Sequence, residues 1–240
     1  KVGFILAAAG SAVGLGNIYL FPMITGEQGG AAFVLIYLMC VLLLGVPVMI
    51  AELSIGRRAQ SDPVGAFKVL APKTWWKTLG ALGVLTGFVI LSAYTVVAGW
   101  TLKYAWITST GRFSGLDSAG IEQTFNSFIS DGPSVILFHL LFVTITVWIV
   151  SGGIEKGIEK ATKILMPLLL GLLILLVIRS ITLPGAGEGI SFYLKPDFSK
   201  VTVRTIMLAL GQAFFSLSLG MGCMLTYGSY LSRNTNLVSS

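Results

Sequence analysis

The sequence predicts an all-α membrane protein with six spanning helices, and three observations carry that reading. Of 240 residues, 55% are hydrophobic and only 11% charged, with a mean hydropathy of +0.87. A soluble domain carries roughly twice that charge. Apolar runs such as 31–55 and 161–178 approach or exceed the ~20 residues that cross a bilayer. The charges lie between these runs, cations in some connections and acids in others.

In chain order, span one is expected over residues 3–25, span two over 31–56 and span three over 78–108; span four follows over 134–151, span five over 160–183 and span six over 202–231. A tight turn at 25–30 joins the first two. Loop 57–77 carries Arg57, Arg58, Lys68, Lys73 and Lys77 against Asp62 alone, and Lys156, Lys160 and Lys163 cluster around loop 152–159. Loop 111–133 instead carries Asp117, Glu122 and Asp131 with Arg112. Cation-rich loops stay on the cytoplasmic side. The expected orientation therefore has a cytoplasmic N-terminus, with loops 25–30, 111–133 and 184–200 external. The stripe of Ile121, Phe125, Phe128 and Ile129 predicts a short amphipathic helix on the external face. Pro47 and Pro167 should kink or loosen spans two and five.

Two spans contain poor helix material. Gly10, Gly14 and Gly16 fall within seven residues of span one, ahead of Asn17; Ser216, Ser218, Gly220 and Gly222 alternate through span six. Each glycine costs a helix about 1 kcal/mol relative to alanine. Such segments either pack as small-residue faces or form discontinuous helices. In a discontinuous pair the broken ends offer carbonyls to cations and N–H groups to an anion. Two of them five spans apart fit a five-plus-five inverted repeat, in which case at least four further spans are expected outside this chain. Asn17 supplies an uncharged oxygen suited to a hard cation, and Ser216 and Ser218 add hydroxyls. Tyr94 is a phenol in span three.

Other signals are excluded or discounted. The cations form no basic face interleaved with aromatics, so no nucleic-acid partner is expected. Cys40 and Cys223 lie in apolar runs as small hydrophobes. No cleavable signal peptide is expected, and a natural tail is expected to precede residue 1. No nucleophile–base pair, phosphate loop or metal cluster appears, so an enzyme is not expected. Glu52 near the end of span two is assigned a hydrogen-bonding or pairing role beside Arg57, and His139 a packing role. Trp75, Trp76 and Trp106 read as an interfacial belt.

The stretch from Gly3 to Asn17, followed by Phe21-Pro22, resembles the first-span signature of the sodium:neurotransmitter symporter family. Gly29 to Phe33 with Pro47 and Glu52, Tyr94 with Trp100, Lys195 to Phe198, and Gly211 to Gly222 resemble the segments that follow it. The resemblance covers the chain in order. It implies a leucine-transporter-type inverted-repeat fold, represented here by spans 1–6, with spans 1 and 6 unwound mid-membrane. It also implies sodium-coupled symport of an amino acid by alternating access in the plasma membrane.

Roles follow from the resemblance by position. Sodium would be held by Ala12, Asn17 and Ser216 at one site and by Gly10 and Val13 at a second. The substrate carboxylate would meet Tyr94 and the N–H groups of Leu15 and Gly16. Its amine would meet Ala12, Phe215, Ser216 and Ser218. Ile90, Phe215 and Met221 would line the side-chain pocket, with Phe215 also serving in the external lid. Tyr37, Gln212 and Ser216 match positions that bind chloride in chloride-dependent members. Gly14 stands where monoamine carriers of the family have an aspartate, which favours a neutral amino acid, and the adaptable Met221 favours a large apolar or aromatic one. Leu20 departs from the family pattern, where an external-gate arginine precedes the phenylalanine. That departure keeps a non-transporting amino-acid-binding relative in view. A six-span ion channel subunit would need a filter loop or charged pore ring, and neither is visible. A homodimer is compatible with the sequence.

Overall fold

The structure is a computed structural model that describes residue 10, residues 13–153 and residues 157–233. Of the expected first span, 3–25, residues 3–9, 11 and 12 lie outside the described residues. Its later part is a π-helical turn, Gly16–Leu20, leading into helix α1, Phe21–Glu27. Helix α2 runs Ala31–Ala59, with a π-helical turn at Val41–Gly45 just ahead of Pro47. Then follow α3 (Pro63–Leu70), α4 (Lys77–Ser109), α5 (Ser118–Ser130), α6 (Gly132–Ser151), α7 (Glu159–Ile181), α8 (Ala186–Leu194), α9 (Val203–Ser216) and α10 (Cys223–Ser229). Helix α7 continues through Pro167.

Helices α2, α4, α6 and α7 are long and apolar enough to cross a membrane, and they lie on the stretches read as spans two to five. No residue in the most apolar windows of α6 and α7 is buried. Their leucines, isoleucines and valines therefore point outward, which water would penalise and an apolar medium accepts.

Local chemistry sets the ends of the shorter helices. Asp62 caps α3, accepting from the N–H groups of Val64 and Gly65 at 3.0 Å each. Asp117 caps α5 through the Gly120 N–H at 2.9 Å. Thr202 and Thr205 form a reciprocal capping box on α9, which satisfies amides the first turn would otherwise leave free. Gln60 ends α2 in the left-handed region, φ 51°, and its side-chain amide donates to the Leu231 carbonyl at 2.7 Å.

The chain divides into two compact units, residues 1–85 with 162–240, and residues 86–161. In the second unit the amphipathic helix α5 buries Phe128. Phe125 sits edge-on to Trp100 at 5.6 Å, and Phe128 sits edge-on to Phe138 at 6.2 Å. The Lys103 ammonium lies 5.0 Å from the Phe138 ring and 5.7 Å from the Phe128 ring. The His139 backbone lies directly beside Gly99 on α4, and its Nδ1 is buried without a hydrogen-bond partner among the described residues.

In the first unit, α2 and α10 mesh through glycine. A Cβ on Gly56 would strike the Leu225 carbonyl oxygen, and one on Gly228 would strike the Leu53 carbonyl oxygen. Both obstacles are backbone, so neither can rotate away. At the other end of α2, Gly30 (φ 63°) lets the chain turn directly beneath the Phe192 carbonyl of α8.

Gly56→Ala should therefore lower stability by about 1–3 kcal/mol through overpacking, read as a fall in melting temperature in detergent. Asp62→Ala should cost about 1 kcal/mol of cap. The Gly65 N–H, with those of Val64 and the Ser61 hydroxyl, holds the Asp62 carboxyl below the usual aspartate range. A depressed folded pKa gives stability that is present above the unfolded value and lost only as pH falls through the folded one. The difference between Asp62→Ala and the native protein should thus stay constant from about pH 7 to about pH 5 and shrink only below about pH 3.9.

Candidate functional site

The site grows from two interrupted segments of the first unit. Near the N-terminus the chain bends at Val13 and Gly14. The amides of Asn17 and Ile18 then share the Gly14 carbonyl, at 3.0 and 3.1 Å. At the other segment α9 stops at Ser216 and α10 starts at Cys223. Between them Ser218, Gly220 and Gly222 adopt φ values of 54°, 78° and 78°. Glycine takes this left-handed conformation freely, whereas at Ser218 it is uncommon and strained.

Side chains of α9 join the two segments. Ser216 Oγ donates to Asn17 Oδ1 at 2.7 Å. Gln212 Nε2 donates to the Gly16 carbonyl at 2.8 Å and lies 3.4 Å from Ser216 Oγ. Gln212 and Ser216 are each 5% exposed. The Phe215 ring covers Gly16 so closely that a Cβ there would sit 2.6 Å from it. The third glycine of the first cluster is therefore needed because an aromatic ring lies on it. The result is a buried cluster of neutral oxygens from Gly16, Asn17 and Ser216, with no formal charge of its own. Among the described residues no group of three His, Cys, Asp or Glu could hold a metal ion, so a cation here would rest on such oxygens.

Four contacts seat the bend after α9. The Gly220 amide donates to Glu52 Oε1 at 2.8 Å. The Leu217 side chain fills the notch at Gly45, where a Cβ would lie 2.5 Å from Leu217 Cδ1. Pro63 would be 2.8 Å from a Cβ on Gly222, and the backbone of Gly220 and Gly222 passes 3.3 Å from a Cβ on Gly83. Glu52 thus carries out the hydrogen-bonding role expected of it, with the Gly220 amide of the bend as a partner. Its Oε2 is buried without a hydrogen-bond partner among the described residues.

The other expected residues fall as follows. Gly10 is described, and a Cβ there would meet Met166 Sδ at 3.3 Å and Thr162 at 3.5 Å. Ala12 lies outside the described residues. Val13 is at the bend and Leu15 immediately precedes the π-helical turn. Tyr37 packs against the Phe21 ring at 4.8 Å. Ser218 is buried and Met221 half-buried within the bend. Ile90 and Tyr94 belong to the second unit, both half-buried on α4. The structure so brings together Gly16, Asn17, Gln212, Phe215 and Ser216. Sequence reasoning missed the seating residues Gly45, Pro63 and Gly83. The available signal was glycine on apolar helices beside a proline-opened loop, a pattern too common to single them out.

Comparison with known proteins gives consistent results. The family model described as the sodium:neurotransmitter symporter family matches residues 1–115 and 121–240. The chain is 45% identical over its full length to the uncharacterized sodium-dependent transporter YhdH of Bacillus subtilis, covering 53% of that protein. It is 41% identical over 99% of its length to an uncharacterized sodium-dependent transporter of Haemophilus influenzae, covering 54% of it. Among solved structures, that of MhsT in complex with L-phenylalanine superposes with a TM-score of 0.91 at 50% identity, over the whole of this chain and 54% of that one. The chain spans about half the length of these relatives.

Glu52→Gln should leave the bend nearly intact, because an amide oxygen still accepts from Gly220. Glu52→Leu should cost about 0.5–1.5 kcal/mol, the net contribution of one hydrogen bond, since Gly220 itself is exposed. Melting temperatures of the two variants in detergent check this, and equal losses would show that the hydrogen bond contributes nothing.

Proposed function

The chain belongs to the sodium:neurotransmitter symporter family, and from that membership we propose that it forms part of a sodium-coupled symporter for a neutral amino acid, working by alternating access. It is a multi-pass membrane protein of leucine-transporter-type fold, and its relatives are transporters rather than enzymes. The observation that carries the proposal is the pair of oxygens on Asn17 and Ser216, brought to 2.7 Å from two interrupted segments of the chain.

Sodium enters here as a co-transported substrate. Both oxygens are hard, neutral donors, and the Gly16 carbonyl lies against the same cluster. The Ser216 hydroxyl proton lies between the two. A bound cation would take a lone pair from each and turn that proton aside, so sodium would replace a hydrogen bond that already holds the two segments together. A carboxylate of the substrate would complete the charge balance at a site that has no acid among the residues joined there. The backbone carbonyls at the end of α9 suit the amine, since a helix C-terminus favours positive charge. Gly10 and Val13 would supply a second cation site, and Ala12 would join the first.

A large apolar or aromatic side chain suits the half-buried Met221 and Phe215; Ile90 and Tyr94 remain candidates by resemblance alone. MhsT was solved with L-phenylalanine, which supports that substrate class. Tyr37, Gln212 and Ser216 are the candidates for chloride. The cation-rich loop 57–77 supports a cytoplasmic N-terminus. A second reading, an amino-acid-binding member that does not transport, is supported by Leu20, an apolar, half-buried residue at the position where the family pattern has an arginine.

Uptake of radiolabelled amino acids by proteoliposomes holding the full-length protein tests both readings. An inward sodium gradient should drive accumulation that a potassium gradient does not, and unlabelled phenylalanine or leucine should compete better than glycine or proline. Asn17→Ala should cut accumulation roughly tenfold or more, the loss of one charge-assisted contact of about 1.5–3 kcal/mol. Sodium-dependent binding without accumulation would select the non-transporting reading.

A further inference from the structure

We propose that the connection between α2 and α4 is a binding site for an anionic phospholipid headgroup. Trp75 and Trp76 stack with ring centroids 5.1 Å apart and planes 13° from parallel, and they remain 66% and 44% exposed. Exposed stacked indoles are costly in water, but they suit the headgroup level of a bilayer, where a ring can be half apolar and half wet. They immediately precede Lys77, the first residue of a helix apolar enough to span, which fixes them at the membrane boundary.

The loop is folded to present them. Lys73 turns the chain through the left-handed region, φ 68°. The Thr74 hydroxyl donates back to the Ala71 carbonyl at 2.6 Å, and the Thr78 hydroxyl to the Trp75 carbonyl at 2.7 Å. These two hydroxyls are satisfied locally, and the rings and Val69 of α3 are exposed.

Charge complementarity selects the ligand. Lys68, Lys73 and Lys77 flank the indoles, and among the described residues none of the three has a carboxylate within ion-pair range. The loop's one acid, Asp62, is engaged by the first amides of α3. Lys73 and Lys77 lie within two residues of the indoles in sequence and Lys68 stands seven residues ahead of them, and this positive charge matches a phosphate diester whose acyl chains lie beside α4. A zwitterionic headgroup would set its own cation against the lysines. Basic clusters next to a spanning helix attract anionic lipid by this means.

The test uses the full-length protein in nanodiscs, with tryptophan quenching by bromine-labelled lipid. One series titrates brominated phosphatidylglycerol into phosphatidylcholine, and the other titrates brominated phosphatidylcholine into phosphatidylglycerol. The signal from this site is the difference between the native protein and Trp75→Phe/Trp76→Phe. The expected result is half-maximal quenching at a much lower fraction of the anionic lipid, with the preference reduced about fivefold for each lysine replaced in Lys68→Gln, Lys73→Gln and Lys77→Gln. These variants should melt at the native temperature, because their side chains are not part of the packing. Equal quenching by the two lipids would overturn the proposal, and so would an anionic preference that survives in the triple lysine variant.

Discussion

Amide and carbonyl groups freed where a helix is interrupted need other partners, since an unpaired backbone group is costly away from water. That constraint organises the first unit. The bend after α9 is held by the Glu52 carboxyl on the Gly220 amide, and the bend after residue 13 by Gln212 on the Gly16 carbonyl. One carboxyl from α2 and one amide from α9 thereby allow two segments of irregular backbone to persist side by side. The remaining features serve the same purpose. Gly45 and Gly83 make room for the bend, Pro63 backs Gly222, and Asp62 fixes the helix on which Pro63 stands.

The same satisfaction leaves the site neutral and adjustable. Ser216 donates to Asn17, and Gln212 Nε2 lies within 3.4 Å of the same Ser216 hydroxyl. A hydrogen bond contributes little net free energy when an alternative partner is at hand. Exchanging it for a cation therefore changes the local geometry less than filling an empty cage would.

Much of this was legible in the sequence. Of the six spans expected from apolar length, four are long apolar helices, α2, α4, α6 and α7, and the sixth is divided between α9 and α10; the amphipathic helix α5 follows from the spacing of Ile121, Phe125, Phe128 and Ile129. Gly16 and Asn17 could be singled out beforehand because glycine clusters and amides are rare in apolar runs. The π-helical turns at 16–20 and 41–45 could not, since a one-residue offset in hydrogen bonding leaves composition unchanged. Helices α3 and α8 were also invisible as helices, being short enough that their docking partners, rather than their own periodicity, stabilise them. Glu52 stands out as an acid in an apolar run, but local sequence points to Arg57, five residues on. Its hydrogen bond reaches Gly220, 168 positions away, a distance across which sequence spacing carries no information.

The reciprocal mesh of α2 and α10 has a consequence for how this surface can change over generations. At most packed positions a larger residue can be accommodated by trimming the side chain it meets. At Gly56 and Gly228 the opposing atoms are main-chain carbonyls, which every amino acid possesses. No replacement of Leu53 or Leu225 removes the obstacle. A second-site suppressor of a substitution there must act by separating the helices, and so has to arise elsewhere along their length rather than across the contact. Genetic rescue mapped onto the pair would trace the hinge points of the two helices instead of their interface.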